Sequence, residues 1–276
     1  MIVARLVLGR VLGWSALAAL LLGGMAALAG AVESAGLGAA GAVLVALASA
    51  PAVLVALAPT IAAAGAAAAA GRTEALGERL TLDIAGVHPA RAVLVAVFGG
   101  LLLGGGQWAA SDHLVWRLEA QRQAALGQAP PGWVWLEDGA LRPSDGTWVG
   151  RDLTVALGRT VGEGSLAAAR MRQQPRTASG AVLRDTGLES ARLERHSRRA
   201  RAVACGALAG IAWLPLGAAA GLGRVGAVLA LALAWQATDA ALYAASAQGR
   251  LDGLAGGWAA AAVACVLLGA GLARLR

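Results

Sequence analysis

The stretch SAGLGAAGAVLVALASAPAVLVALAPTIAAAGAAAAAG, residues Ser34–Gly71, carries no charge and holds two prolines, Pro51 and Pro59. A helix needs ~20 apolar residues to cross a bilayer. The run is therefore long for one span and short for two with a turn between them. The surrounding charges decide. Arg5 and Arg10 precede the first apolar run, Val11–Val32, and Arg72, Arg79 and Arg91 follow Ser34–Gly71. Arg224 stands alone between two later runs, and Arg274 and Arg276 end the sequence. If Ser34–Gly71 is one long helix, all these residues fall on one side, which the positive-inside rule makes cytoplasmic. Two helices would split them. The sequence thus predicts one long helix. Each proline removes a backbone donor and kinks it, which membrane helices tolerate where neighbours re-satisfy the backbone.

Further runs lie outward from this one. Ala92–Ser111, Ala202–Gly223 and Gly253–Ala273 are uncharged, and Val225–Ala247 is interrupted only by Asp239. Together they give about six transmembrane helices. The composition agrees, at 58% hydrophobic and 14% charged with a mean hydropathy of +0.65. Val11–Val32 is longer than the ~7–15-residue core of a signal peptide and reads as a membrane anchor. Cys205 and Cys265 fall at different depths of different spans, so they read as free thiols. All 23 basic residues are Arg, and the Ala, Gly, Leu and Val richness matches a GC-rich bacterial coding bias. The expected home is a bacterial inner membrane, multi-pass, with both termini cytoplasmic.

The one large hydrophilic segment, Asp112–Arg201, falls on the outer side and reads as β. Trp133–Leu136, Thr147–Val149, Asp152–Leu157 and Ala181–Leu183 are separated by Gly-containing turns, the mark of a small sandwich or open sheet. Trp133, Trp135 and Trp148 read as its core, His113–Gln128 as helix, and Leu188–His196 as a last strand or the start of the fourth helix. The expected domains are 1–112 (helices one to three, with a cytoplasmic segment at 71–91), 113–200 (a periplasmic β domain) and 201–276 (helices four to six).

Several functions are excluded. A P-loop needs a Lys to reach the β- and γ-phosphates, and the sequence has none. ATP-driven work must come from a partner. His88, His113 and His196 are scattered, so no catalytic constellation and no metal-ligand spacing exists, and no cofactor is implied. The basic surplus flanks the membrane and does not indicate nucleic acid. Arg198, Arg199 and Arg201 crowd the outer mouth of the fourth helix, either as snorkelling anchors or as a clamp for lipid phosphate. Asp239, with Gln236 near it, faces a cavity or partner within the fifth span, or lies close enough to the interface to be wet. Gly71–Arg91 is amphipathic, with Leu80, Ile84 and Val87 at i, i+4 and i+7. It reads as a solvated loop, an interfacial helix or a helix that docks on a cytosolic partner.

Glu78 through Gly86, with Val87 following, resembles the Glu-x7-Gly-Val segment of LptF/LptG-type permeases, the membrane subunits of the lipopolysaccharide-export ABC transporter. Arg5 occupies the place of the Arg in that family's Arg-Tyr opening, with Leu6 instead of Tyr. Leu214-Pro215-Leu216, the turn around Arg224 and the approach through Gly257-Trp258 resemble its last three helices. The resemblance implies a six-helix bundle with a small periplasmic all-β, half-jellyroll-like domain. It implies a permease that extracts a lipopolysaccharide-like anionic lipid and passes it to that domain. The implied partners are a cytosolic ABC ATPase dimer, a second permease half (a paralogue or a second copy) and a periplasmic bridge protein. ATPase coupling would fall to Glu78, Arg79, Leu80, Asp83, Ile84, Gly86 and Val87, and lipid binding to Arg198, Arg199, Arg201 and Asp239. The alternative is a membrane-anchored scaffold or assembly factor whose β domain binds a periplasmic partner by strand addition.

Overall fold

The computed structural model describes residues 2–34, 36, 39–115, 118, 122, 134–136, 139–142, 147–150, 155–157, 186–214, 222–248 and 250–275. Its helices are α1 (Ile2–Glu33), α2 (Ala39–Ala56), α3 (Ala58–Ala75), α4 (Glu78–Ile84), α5 (Pro89–Ala110, continued by a π turn, Ser111–Val115), α6 (Thr186–Trp213), α7 (Leu222–Ala247) and α8 (Gly253–Ala273). Four of them, α1, α5, α7 and α8, are long and apolar enough to cross a membrane. The pair α2 and α3 makes a fifth if it counts as one span.

The expectation of six spans with an all-β, half-jellyroll-like domain is therefore corrected. The described body is helical and contains no β domain. Among the described residues strand pairing is confined to a short antiparallel ribbon, β1 (Val134–Leu136), β2 (Gly139–Arg142), β3 (Thr147–Gly150) and β4 (Val155–Leu157), each strand joined only to its sequence neighbours. Strands of three or four residues, with no second sheet among the described residues, do not close a sandwich. Trp133 and Ala181–Leu183 lie outside the described residues. Leu188–His196 is helical, built of good helix formers such as Leu, Glu, Ala and Arg. It is the start of α6, which runs without interruption across the expected boundary at 200. The fourth expected span also changes. Its helix ends at Trp213, and the charges up to Arg201 keep α6 out of the set that is apolar enough to cross by composition; its apolar part begins after Arg201. That part is nonetheless the centre of the bundle, with 204–214 all buried.

Within Ser34–Gly71 the long helix expected from sequence is broken in two, α2 and α3. The axes of α2 and α3 differ by 72° at Leu57. Pro59, in the first turn of α3, cannot donate to the preceding turn, whereas Pro51 sits inside α2 without a break. α1 packs against both halves, its contacts running in reverse chain order. Gly30 lies against Val45, Ala46 and Ser49, Gly23 against Leu54, and Gly65 against Ser15. The neighbours re-satisfy the break as membrane helices require. The Gln236 amide on α7 donates to the Ala56 carbonyl at 2.9 Å and accepts from the Thr60 hydroxyl at 2.8 Å.

Small residues set the helix spacing. A Cβ on Gly100 of α5 would overlap the Cys205 carbonyl of α6 and come within 2.8 Å of Ala209. One on Gly104 would lie 2.7 Å from the Ala202 Cα. Such close approach is how helices associate inside lipid, where burial alone supplies no drive. Cys205 and Cys265 are both unbridged. Gly100→Ala and Gly104→Ala should each destabilise the bundle by ~1–3 kcal/mol through overpacking. Gly105→Ala, which meets nothing within 4 Å, should be neutral. Thermal unfolding of the three variants in detergent checks this.

Candidate functional site

The short helix α4 is set off by two glycines in the left-handed region, Gly77 at φ 67° and Gly86 at φ 70°. Gly77 ends α3. Gly86 ends α4 in a Schellman motif, with Val87 N–H donating to Leu82 O at 2.9 Å and Gly86 N–H to Asp83 O at 3.0 Å. A Cβ on Gly86 would meet nothing within 4 Å, so the glycine serves backbone handedness rather than close approach. The chain then turns into α5, with the His88 ring accepting from Ala90 N–H at 3.2 Å and Pro89 opening the helix.

Two ion clamps hold α4 to the bundle. In the first, Arg10 of α1 forks onto both oxygens of Glu78, its Nη2 lying 2.6 Å from Oε1, and also donates to the Thr73 hydroxyl at 2.9 Å. In the second, a single oxygen of Glu74, at the end of α3, accepts from Arg79 of α4 at 2.6 Å and forms an ion pair with Arg224 of α7 at 2.8 Å. The Arg224 side chain is only 3% exposed. Thr73, Glu74, Arg79, Asp83, Trp213 and Arg224 help to line a pocket between α4 and the floor of the bundle. The outer side of α4 is different. Leu76, just before it, and Leu80 and Ile84 within it are 48%, 65% and 79% exposed at i, i+4 and i+8. No residue of α4 is buried.

The coupling residues expected from sequence therefore separate into two faces. Glu78 and Arg79 are engaged with the bundle. Leu80 and Ile84 point away from it, and Leu76, not Val87, continues their stripe. Val87 is half-buried and, with the exposed Asp83, lines the pocket. Arg10, Thr73, Glu74 and Arg224 were not assigned from sequence. The available signal was Arg224 itself: a lone cation between two apolar runs needs a carboxylate, and Glu74 is one of few at that end of the bundle.

At the other candidate site, Arg201 and Asp239 come together. Arg201 Nε donates to Asp239 Oδ2 at 2.9 Å across α6 and α7, and the Asp239 side chain is 4% exposed. Asp239 thus faces a cation inside the bundle rather than water. Arg199 is exposed and Arg198 half-buried on the preceding turn of α6. Nearby, Trp258 Nε1 donates to His196 Nδ1 at 3.2 Å, joining α8 to α6. No group of His, Cys, Asp and Glu among the described residues could hold a metal ion. No protein-family model and no curated protein matches this sequence.

The hydrogen bond from Arg10 holds the Glu78 carboxyl below the usual carboxylate range; desolvation opposes it, and the charges of Arg10 and Arg72 reinforce it. A carboxyl with a lowered folded pKa contributes stability above its unfolded value and loses it as pH falls through the folded one. The unfolding midpoint of the native chain should exceed that of Glu78→Gln by a constant gap from neutral pH down to the ordinary carboxylate value. The gap should close below the lowered one. Midpoints measured across acidic pH check this.

Proposed function

We propose that this chain is one permease half of an ATP-driven exporter that draws an anionic lipid from a bacterial inner membrane, with ATP hydrolysed by separate cytosolic chains. The observation that carries the reading is α4. It is a short helix pinned to the bundle by ion pairs on one side, with an unpartnered leucine and isoleucine stripe on the other. A membrane-anchored scaffold has no use for such a helix; a permease needs one to receive force. The resemblance of Glu78–Val87 to the coupling segment of LptF/LptG-type permeases points the same way. Arg10, Arg79 and Arg224 gather at this end of the bundle, and the positive-inside rule assigns it to the cytoplasm, with both termini. Extraction is uphill by ~0.8 kcal/mol per CH₂ withdrawn, and without a Lys the chain cannot hold ATP in a P-loop. A second permease half would close the lipid cavity.

In this reading Arg198, Arg199 and Arg201 meet lipid phosphate, and Asp239 orients Arg201 rather than touching lipid. Replacing the three arginines with Gln should weaken lipid capture by ~1 kcal/mol per Arg, read as loss of lipid photocrosslinking with ATPase binding intact. Unchanged crosslinking would make them interfacial anchors.

The decisive experiment is co-purification with a nucleotide-binding subunit. Glu78→Ala removes the Arg10 clamp, and Gly86→Leu forces a branched residue into the left-handed region. Each should weaken the complex or leave ATP hydrolysis running without lipid movement. Wild-type assembly and transport in both would reject the permease reading.

A further inference from the structure

We propose that Glu74 is a positioning residue that ties α4 to α7, so that α4 cannot be displaced without shifting the first turns of α7. The inference rests on the reading of α4 as the element that receives force. It concerns where that force goes next.

One oxygen of Glu74 is shared between Arg79 on α4 and Arg224 on α7. The Arg79 side chain is 39% exposed, against 3% for Arg224, and exchanges its carboxylate partner for water at much lower cost. Arg224 is almost wholly buried, and its ion partner is Glu74. Asp83 lines the same pocket but makes no ion pair among the described residues. If Glu74 follows Arg79 outward, Arg224 becomes a buried, uncompensated cation, the state that makes breaking a buried pair so costly. Arg224 must therefore move with Glu74. If Glu74 instead stays, Arg79 lets go, and α4 hangs on the Arg10–Glu78 clamp, which does not touch α7. The two clamps thus have different reach: one fixes α4 to α1 and the other connects it to α7.

α7 is a continuous helix beyond this point. At 1.5 Å per residue, Gln236 lies ~18 Å and Asp239 ~22 Å along it from Arg224. A shift at its first turn is delivered to the bridge across the α2–α3 break and to the Arg201 pair.

Amide hydrogen exchange on the intact chain in nanodiscs tests the link through Arg79→Gln, Glu78→Gln and Glu74→Gln. All three should raise exchange in α4. Glu78→Gln should leave residues 222–228 as in the native chain. Arg79→Gln frees Glu74 for Arg224 alone and should slow exchange there. Glu74→Gln should raise it about tenfold, because a locally destabilised turn opens more often. A purely local role for Glu74 would not move 222–228 when Arg79 is changed. If Arg79→Gln and Glu78→Gln are indistinguishable at 222–228, the link is overturned, even if Glu74→Gln fails to fold. Failure to co-purify an ATPase would instead sink the permease reading and leave the exchange pattern standing.

Discussion

Everything in this bundle depends on backbones that touch. The buried face of α3 is mostly alanine, and α6 meets α5 through Gly100 and Gly104 with little side chain between. In lipid, apolar side chains gain nothing by leaving hydrocarbon for protein, so helices associate through close dispersion contact and a few polar bonds. The polar bonds are correspondingly sparse and well placed. Trp235 donates to the Ala260 carbonyl at 2.9 Å, Gln236 bridges the α2–α3 break, and Arg201 meets Asp239. The larger ion-pair network lies at the end that carries α4, where α1, α3, α4 and α7 converge on Arg10, Glu74 and Glu78.

The helices of this fold were legible in sequence to the extent that hydropathy is local. The runs that became α1, α5, α7 and α8 are visible as uncharged stretches. What failed was inference from alternation. Short apolar–polar runs between Gly-rich turns suggested a β domain, but alternation over three or four residues does not supply a second layer. Leu188–His196 is helical, and Leu193 on it is buried near Gly253 of α8. Pro51 and Pro59 were indistinguishable as kink sites. The bend formed beside Pro59, where Thr60 could reach Gln236 from a distant part of the chain, and no local pattern announces such a partner.

The same limit explains the candidate site. The stripe of Leu80 and Ile84 was readable from spacing, whereas Gly86, expected to permit close approach, is required by its left-handed backbone instead. The ion partners were not readable. Arg224 served as a marker of membrane side, although burying a lone guanidinium requires a carboxylate. Arg201 and Asp239 were considered separately because they lie on different helices, and only packing brings them within a hydrogen bond.

The bend between α2 and α3 bears on bilayer thickness. Each is an 18-residue helix, ~27 Å long. Placed end to end they would overreach the ~30 Å hydrocarbon core by far. Bent by 72°, the pair reaches only ~35 Å along the axis of whichever half stands upright. The other half extends ~26 Å sideways, and a helix lying across the acyl chains occupies area that lipids in that leaflet would otherwise fill. Counted as one span, an uncharged run too long for a straight crossing and too short for two stays close to bilayer dimensions. The excess length is converted into lateral footprint rather than depth.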